Sequence, residues 1–165
     1  MFDRPVVDSV TFAREAGELS GETAVGNLTR LHDALADNTG VISYRLSGFV
    51  NAEEKPSLRL SVSGDVKLVC QRCLGPLVYR LDSNLEFELV EQGRELSDPS
   101  EEADDVEQIL ADPRLDVIGL IEDEIILSLP MVASHEPGQC QAVTGGSAST
   151  GTDSPFSKLS TLKRQ

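Results

Sequence analysis

The chain has 165 residues, enough for one domain of ordinary size with additional tails or loops. It carries 14 basic and 28 acidic residues, and the segment from Glu86 to Glu124 alone holds 15 of the acids against only two arginines. Because affinity for nucleic acid comes mainly from Lys and Arg, this composition argues against direct RNA binding through that segment. A basic protein partner is compatible with it, and so is a solvated acidic loop.

The sequence also argues against export and membrane insertion. The first residues lack the cationic region and apolar run of a secretion signal, and no stretch approaches the ~18 apolar residues of a membrane span. Three cysteines, an odd number with two of them in a CxxC, are not typical of a secreted disulfide framework. We therefore expect a cytoplasmic protein that does not contact the membrane.

The first elements in chain order have weak patterns. Phe2 to Glu15 shows a weak strand-like signal. Asn27 is expected to cap a short helix from Leu28 to Ala36, because leucines recur there at spacings of three and four. From Val41 to Val50 apolar residues alternate with polar ones, which predicts a half-buried strand.

The clearest pattern lies on either side of the CQRC sequence, Cys70 to Cys73. Apolar residues occupy even positions from Leu58 to Cys70 and odd positions from Leu77 to Leu89. Strand residues alternate between faces, and residues opposed in an antiparallel pair have numbers of constant sum. An odd sum places both apolar rows on one face, so the pattern predicts a long β-hairpin of ~12 residues per arm, against the usual ~5–6.

The second half of the chain begins with an acidic stretch, Glu91 to Asp112, which predicts a flexible excursion with a helical turn near Val106–Leu110. Asp116 is expected to cap a helix that runs to Leu129 and that Pro130 ends. Residues 141–155 have the Gly/Ser/Thr-rich composition of a linker, and residues 156–165 are a short amphipathic tail that docks on its own domain or on a partner.

These elements predict an α+β fold over residues 1–140. An antiparallel sheet centred on the long hairpin is packed by one or two helices and carries the flexible acidic segment, about 91–112. The linker, residues 141–155, and the tail, residues 156–165, follow this single domain.

Four side chains suggest a metal site. Cys70 and Cys73 lie at the hairpin tip, and His135 and Cys140 lie in a loop where Pro137 and Gly138 let the backbone fold back. Three cysteines and one histidine form a known set for structural zinc, which is therefore the one cofactor that we consider. The alternative is that Cys70 is only a small buried apolar residue and the other three are incidental.

Catalytic interpretations are weaker. A redox CxxC more often opens a helix, where the dipole lowers the thiol pKa. A nucleophilic cysteine–histidine pair would use the same residues as the metal site. The carboxylates Glu122 to Glu124 are better explained as a solvated helix face than as an acid/base site. We therefore assign no catalytic residue.

Candidate contacts for a partner or for RNA fall into two groups, which are cations near the hairpin tip and residues of the tail. Three cations can contact a few phosphates, or they only solubilise an exposed strand face. In the tail, apolar residues recur every third position and are followed by basic ones. The candidates are Lys67, Arg72 and Arg80 near the tip, and Phe156, Leu159, Lys163 and Arg164 in the tail.

The order of these motifs resembles a known family. CQRC between two alternating strands, then EDEIILSLP, then His135 and Cys140, then a terminal PFSKLSTLKRQ is similar to the YceD family of large ribosomal RNA subunit accumulation proteins, from about Ser57 to Gln165. The family pattern falls on Cys70, Arg72, Cys73, Glu122 to Pro130, His135, Cys140 and Phe156 to Arg164. The Gly/Ser/Thr-rich stretch before Pro155 departs from that pattern.

The resemblance implies a role in the synthesis, processing or stability of 23S rRNA, without an established catalytic mechanism. Combined with the charge, it predicts a non-catalytic ribosome-biogenesis factor that binds a basic ribosomal protein, pre-rRNA or both. The expected partner is a ribosomal protein or a large-subunit precursor, with rRNA contacted indirectly. One alternative is a zinc- or thiol-dependent enzyme acting on rRNA. Another is a passive structural or chaperone-like protein.

Overall fold

A computed structural model describes residues 4–93 and 106–140 of the protein. Its elements in chain order are β1 (Val6–Val7), α1 (Ser9–Arg14), β2 (Glu18–Ala24), the 3-10 helices η1 (Val25–Asn27) and η2 (Thr29–Ala34), β3 (Val41–Val50), β4 (Pro56–Val69), β5 (Pro76–Val90), β6 (Val106–Leu110), β7 (Leu115–Asp116) and α2 (Val117–Ser128). Five strands form one sheet in the order β2–β3–β4–β5–β6, and β1 pairs with β7. The predicted α+β class is confirmed.

The centre of the sheet is the hairpin of β4 and β5, whose arms have 14 and 15 residues. Leu60 lies opposite Leu85 and Leu68 lies opposite Leu77, so the paired numbers have the same odd sum. The two apolar rows therefore share one face, on which Leu60 is fully buried and Leu81 is only 2% exposed. Burial of this face contributes most of the hydrophobic stabilisation of the sheet.

Helix α2 covers that face. The side chain of Asp116 accepts a hydrogen bond from the backbone N–H of Ile118 (3.1 Å), which caps the helix as predicted. Ile118, Ile121 and Ile125 are buried against the sheet, and Pro130 follows the end of the helix. Helix α1 covers β3 and β4 near Gly48, where a Cβ atom would lie 2.3 Å from the Phe12 carbonyl oxygen.

The N-terminal third differs from its sequence prediction. The strand-like signal over Phe2–Glu15 was wrong for most of its described length, because from Arg4 to Glu15 only Val6–Val7 is a strand and Ser9–Arg14 is an α-helix. The side chain of Asp8 starts this helix by accepting a hydrogen bond from the N–H of Thr11 (2.8 Å). Strand β2, which the sequence analysis did not predict, has a largely polar composition and pairs with β3 at the edge of the sheet.

The predicted helix from Leu28 to Ala36 is also wrong in type. The N–H of Leu31 donates to the carbonyl of Leu28 (3.1 Å), an i to i−3 bond that belongs to a 3-10 helix. Leu28, Leu31 and Leu35 are nevertheless all buried. Leu28 and Leu31 lie one 3-10 turn apart, and Leu35 follows the end of the helix in an extended conformation. The pattern thus located the buried face correctly and misassigned the backbone.

Residues Val106–Leu110 form a strand and not the predicted helical turn. Strand β6 lies parallel to β5, with Ile109 opposite Leu89. The free edge of β5 offers unpaired backbone N–H and C=O groups, and pairing with them stabilises an extended segment that has no strong pattern of its own. The rest of the acidic excursion from 94 to 105, the linker 141–155 and the tail 156–165 lie outside the described residues.

Candidate metal centre

The four predicted ligands meet at one point, although His135 and Cys140 are more than 60 residues from the hairpin tip along the chain. The donor atoms of Cys70, Cys73, His135 and Cys140 all lie within 4.8 Å of one another. All three cysteines are free thiols. Cys70 is completely buried, and the other three residues are half-buried.

The spacing of the donor atoms matches a tetrahedral ion. Zinc bonds of about 2.3 Å to sulfur and 2.0–2.1 Å to nitrogen give edges of about 3.8 Å between two sulfurs and about 3.5 Å between sulfur and nitrogen. The Sγ atoms of Cys70 and Cys140 are 3.8 Å apart. Nδ1 of His135 lies 3.4 Å from Sγ of Cys73 and 3.7 Å from Sγ of Cys140. The donor set therefore fits zinc in chemistry and in geometry.

The backbone of the tip holds Cys70 and Cys73 close together. The N–H of Leu74 donates to the carbonyl of Cys70 (2.8 Å), and the N–H of Cys70 donates to the carbonyl of Gly75 (2.9 Å). Leu74 has φ 58°, a left-handed conformation that is uncommon for a residue with a side chain. This tight turn brings both sulfurs to the same side of the tip.

The tautomer of His135 also favours a ligand role. Its Nε2 lies 3.1 Å from the carbonyl oxygen of Pro76, which accepts hydrogen bonds but does not donate them. The proton of the neutral ring therefore belongs on Nε2, and the lone pair of Nδ1 is left facing the thiols. Metal-ligating histidines are commonly oriented by such a bond from the second ring nitrogen.

Arg72 fastens the second loop to the tip. Its Nε donates to Sγ of Cys140 (3.1 Å), and Nη2 donates to the carbonyl of His135 (2.6 Å). The backbone also joins these segments, because the N–H of Gln71 donates to the carbonyl of Ala133 (2.8 Å). The sequence analysis assigned Arg72 to a partner or RNA contact, and no sequence pattern reveals that it contacts the residues of the metal site.

The thiols differ in acidity. Backbone N–H groups, first that of Cys73 and then those of His135 and Arg72, lower the pKa of Cys70 to about 5 against the effect of burial. For Cys73, the N–H of Gly75 acts to lower the pKa, but burial and the neighbouring thiols outweigh it and raise the value. One thiolate is thus available at neutral pH, and binding of a cation favours loss of the remaining thiol protons.

The other predicted tip cations are placed differently. Lys67 forms an ion pair with Asp37 (2.8 Å), and this hydrogen bond is the main reason that the pKa of Asp37 is lowered to about 2. Arg80 is exposed and lies opposite Asp65 on the other strand of the hairpin. The ion pair with Asp37 reduces the availability of Lys67 to phosphate. The predicted tail contacts Phe156, Leu159, Lys163 and Arg164 lie outside the described residues.

The sequence analysis expected Glu122 to Glu124 of α2 to be a solvated helix face. In the structure only Asp123 of these three is exposed to solvent, and Glu122 and Glu124 are buried. Glu122 is 1% exposed and accepts a hydrogen bond from the N–H of Arg30 (3.1 Å), with Arg4 also within 3.5 Å. Glu124 is 5% exposed and accepts a hydrogen bond from Ser83. Because burial of a charge costs free energy unless it is paired, these contacts explain how α2 tolerates two buried carboxylates. They join α2 to its neighbours.

Comparisons with known proteins agree with the motif order. The sequence model of a family described as "Large ribosomal RNA subunit accumulation protein YceD" matches residues 58–163. A protein of that name from Haemophilus influenzae (strain ATCC 51907 / DSM 11121 / KW20 / Rd) is 28% identical over 135 residues, which are 82% of this chain and 77% of that protein. No solved structure shows a significant match. In the described ranges, no helix has the length and apolar character needed to cross a membrane.

Proposed function

Because the chain belongs to the YceD family of large ribosomal RNA subunit accumulation proteins, we propose that it is a non-catalytic ribosome-biogenesis factor. It supports the synthesis, processing or stability of 23S rRNA in the cytoplasm. The observation that carries this proposal is the family match over residues 58–163, which spans the hairpin from Leu58 onwards, α2 and all four candidate ligands. The confirmed membership supports the role in rRNA accumulation, and the geometry of the site supports its non-catalytic character.

Zinc, when bound by Cys70, Cys73, His135 and Cys140, acts as a structural cross-link in this proposal. Four protein ligands fill a tetrahedral shell, whereas a catalytic zinc keeps one position open for water or substrate. The ligands come from the hairpin tip and from the loop after α2, so the ion fastens that loop to the sheet. This arrangement favours a binding factor over a zinc- or thiol-dependent enzyme acting on rRNA.

The partner that we propose is a basic ribosomal protein, or a large-subunit precursor that contains one, and rRNA is contacted indirectly. The net charge of −14 supports this choice, because a polyanion repels phosphate and attracts a cationic protein. Lys67 and Arg72 are engaged within the protein itself, which leaves them less free to neutralise phosphate. Arg80 and the tail residues Phe156, Leu159, Lys163 and Arg164 remain proposed contacts.

A complementation experiment tests the role in rRNA accumulation. In a strain that lacks the protein, we expect the ratio of 23S to 16S rRNA to fall and the wild-type chain to restore it. Cys73→Ser should restore it poorly, while Ser134→Ala, an exposed change in the same loop, should restore it fully. A normal rRNA ratio in the deletion strain would contradict the proposed function.

A binding experiment tests the partner. We expect the purified protein to bind basic ribosomal proteins with an affinity that falls as salt rises, because screening weakens the attraction. Capture of rRNA by the isolated protein, unaffected by salt and without any ribosomal protein, would show that the proposed partner is wrong. Turnover of precursor rRNA that Cys73→Ser abolishes would identify the chain as an enzyme.

A further inference from the structure

An apolar groove lies beside the candidate metal centre. Its volume is about 440 Å³, within the roughly 300–1,000 Å³ of ligand pockets. It lies between η2, the end of β4, the end of α2 and the following loop. Its apolar lining includes Leu68, Val69, Ile126, Leu129, Met131 and Ala133.

The groove is open to solvent in the described part of the chain. Met131 is fully exposed and Ile126 is 38% exposed, although both are large apolar residues. Two charged residues, Arg30 and Asp33, lie at its rim. Arg30 is paired with Asp123, whereas Asp33 has no ion-pair partner among residues 4–93 and 106–140. A segment that fills this groove therefore needs apolar side chains and a positive charge.

We infer that this groove is the docking site of the protein's own C-terminal tail, residues 156–165. The tail presents Phe156, Leu159 and Leu162 at every third position, and it contains three basic and no acidic residues. The described part of the chain contains ten basic and twenty acidic residues, so the tail and the domain have opposite charges. The tail thus has the apolar spacing and the charge that the groove requires.

The length of the connection permits this docking. Sγ of Cys140 is 3.8 Å from Sγ of Cys70, and the two chain neighbours of Cys70, Val69 and Gln71, both line the groove. The fifteen residues from 141 to 155 therefore start close to it. A Gly/Ser-rich chain of this length has a root-mean-square end-to-end distance of roughly 20 Å. Such a tether gives the tail an effective concentration in the millimolar range at the groove.

Docking would restrict access to one end of the molecule. The groove and the candidate metal centre share the segments around Gln71 and Ala133, so a docked tail lies beside the metal centre. A partner that uses the tail or this surface must then displace the tail from the groove. The inference does not depend on the role in rRNA accumulation, since it concerns contacts within one chain.

Tryptophan fluorescence in the full-length protein tests the inference. The chain has no tryptophan, so Phe156→Trp introduces a single indole, which can be excited selectively over the two tyrosines. We expect its emission to be blue-shifted and protected from acrylamide, because docking removes the ring from water. Adding the groove substitution Ile126→Asp should shift the emission to that of a solvated indole. The matched control Leu127→Asp changes a neighbour that is 73% exposed and does not line the groove, and it should have no effect.

Two further measurements make every outcome decisive. Hydrogen exchange of residues 156–163 is measured in a chain that keeps Phe156, so the larger indole has no influence. We expect protection that Ile126→Asp removes and Leu127→Asp keeps. A synthetic peptide of residues 155–165 should displace the tail only at about millimolar concentration. Exchange at the rate of an unstructured chain, or protection insensitive to Ile126→Asp, overturns the inference. Protection that increases with protein concentration overturns it too, because it identifies docking on a second copy.

Discussion

The middle and the tip of the β4–β5 hairpin are stabilised by different interactions. In the middle, Leu60 and Leu81 are buried in the same core cluster as Ile121 of α2. Strands β4 and β5 each have a neighbouring strand on both sides. At the tip, polar contacts of Gln71 and Arg72 and four metal-ligand side chains join the hairpin to the loop after α2. The middle is thus stabilised by packing of the core, whereas we expect the stability of the tip to depend on the proposed ion. Local stability varies within proteins in this way.

Removal of zinc should have the largest effect, and it should separate the two regions. A ligand that binds only the folded chain stabilises it by about 4 kcal/mol when its free concentration is a thousandfold above Kd. We expect urea denaturation of the zinc-loaded and chelated protein to differ by about this amount. In the chelated protein, hydrogen exchange should increase at residues 70–76 and 131–140 and stay slow at residues 58–66. Faster exchange throughout the sheet would show that the middle also depends on the ion.

A cavity in the middle should have the next largest effect. Ile121 is completely buried, and Ile121→Ala should lower the free energy of unfolding by about 3 kcal/mol because it removes packed methyl groups. Leu127→Ala on the same helix is the control, since its side chain is 73% exposed and the expected loss is below about 0.5 kcal/mol. Both variants should bind one zinc per chain. Loss of zinc from Ile121→Ala would mean that the tip is not independent of the core.

A smaller effect is expected from the buried carboxylate that joins α2 to the N-terminal third. Glu122→Gln keeps an acceptor for the N–H of Arg30 but removes the charge beside Arg4, and we expect a loss of about 1 kcal/mol. Asp123→Asn is the control, because its ion pair with Arg30 is half-exposed and surface pairs contribute about 0–1 kcal/mol. Both variants are measured by urea denaturation. Equal losses would contradict the expectation that the buried Glu122 contributes more to stability than the half-exposed Asp123.

The pH dependence of stability should show the smallest effect. Burial raises the pKa of Glu124, although a hydrogen bond from Ser83 opposes the shift. The folded protein therefore holds this proton more tightly than the unfolded chain does. The resulting stabilisation is complete below the unfolded pKa, about 4.3, and is lost as pH rises through the folded pKa. We expect Glu124→Gln to flatten the fall in stability above pH 4.3. The exposed control Glu15→Gln should leave the profile unchanged.

Much of the central fold could be predicted because its signals are local. The alternation from Leu58 to Leu89 contains the strands, their buried faces and the parity of their register. Helix α2 could also be predicted from local signals, because Asp116 caps its start and Pro130 lies just after its end. In these segments the periodicity agrees with the packing.

The prediction failed where contacts with neighbouring elements determine the secondary structure or the burial of a side chain. Val106–Leu110 has no strong period, and it is a strand because β5 offers a free edge. The segment that includes Leu28 satisfies both an α-helical and a 3-10 spacing, so its leucines predict burial without predicting the type of turn. Glu122 and Glu124 looked solvated because a run of acids gives no sign of the groups that neighbouring elements bring to it.

The candidate metal centre likewise has features that local sequence signals predict and features that depend on tertiary contacts. Ligand types and the CxxC spacing predicted Cys70, Cys73, His135 and Cys140 as candidate ligands from the sequence alone, because coordination chemistry restricts which residues serve, and the structure brings the four together. Only the tertiary structure decided that the two pairs meet at tetrahedral distances, that the Pro76 carbonyl sets the tautomer of His135, and that Arg72 binds the second loop. Periodicity and residue chemistry are properties of short segments. The closure of a loop more than 60 residues away depends on the path of the whole chain.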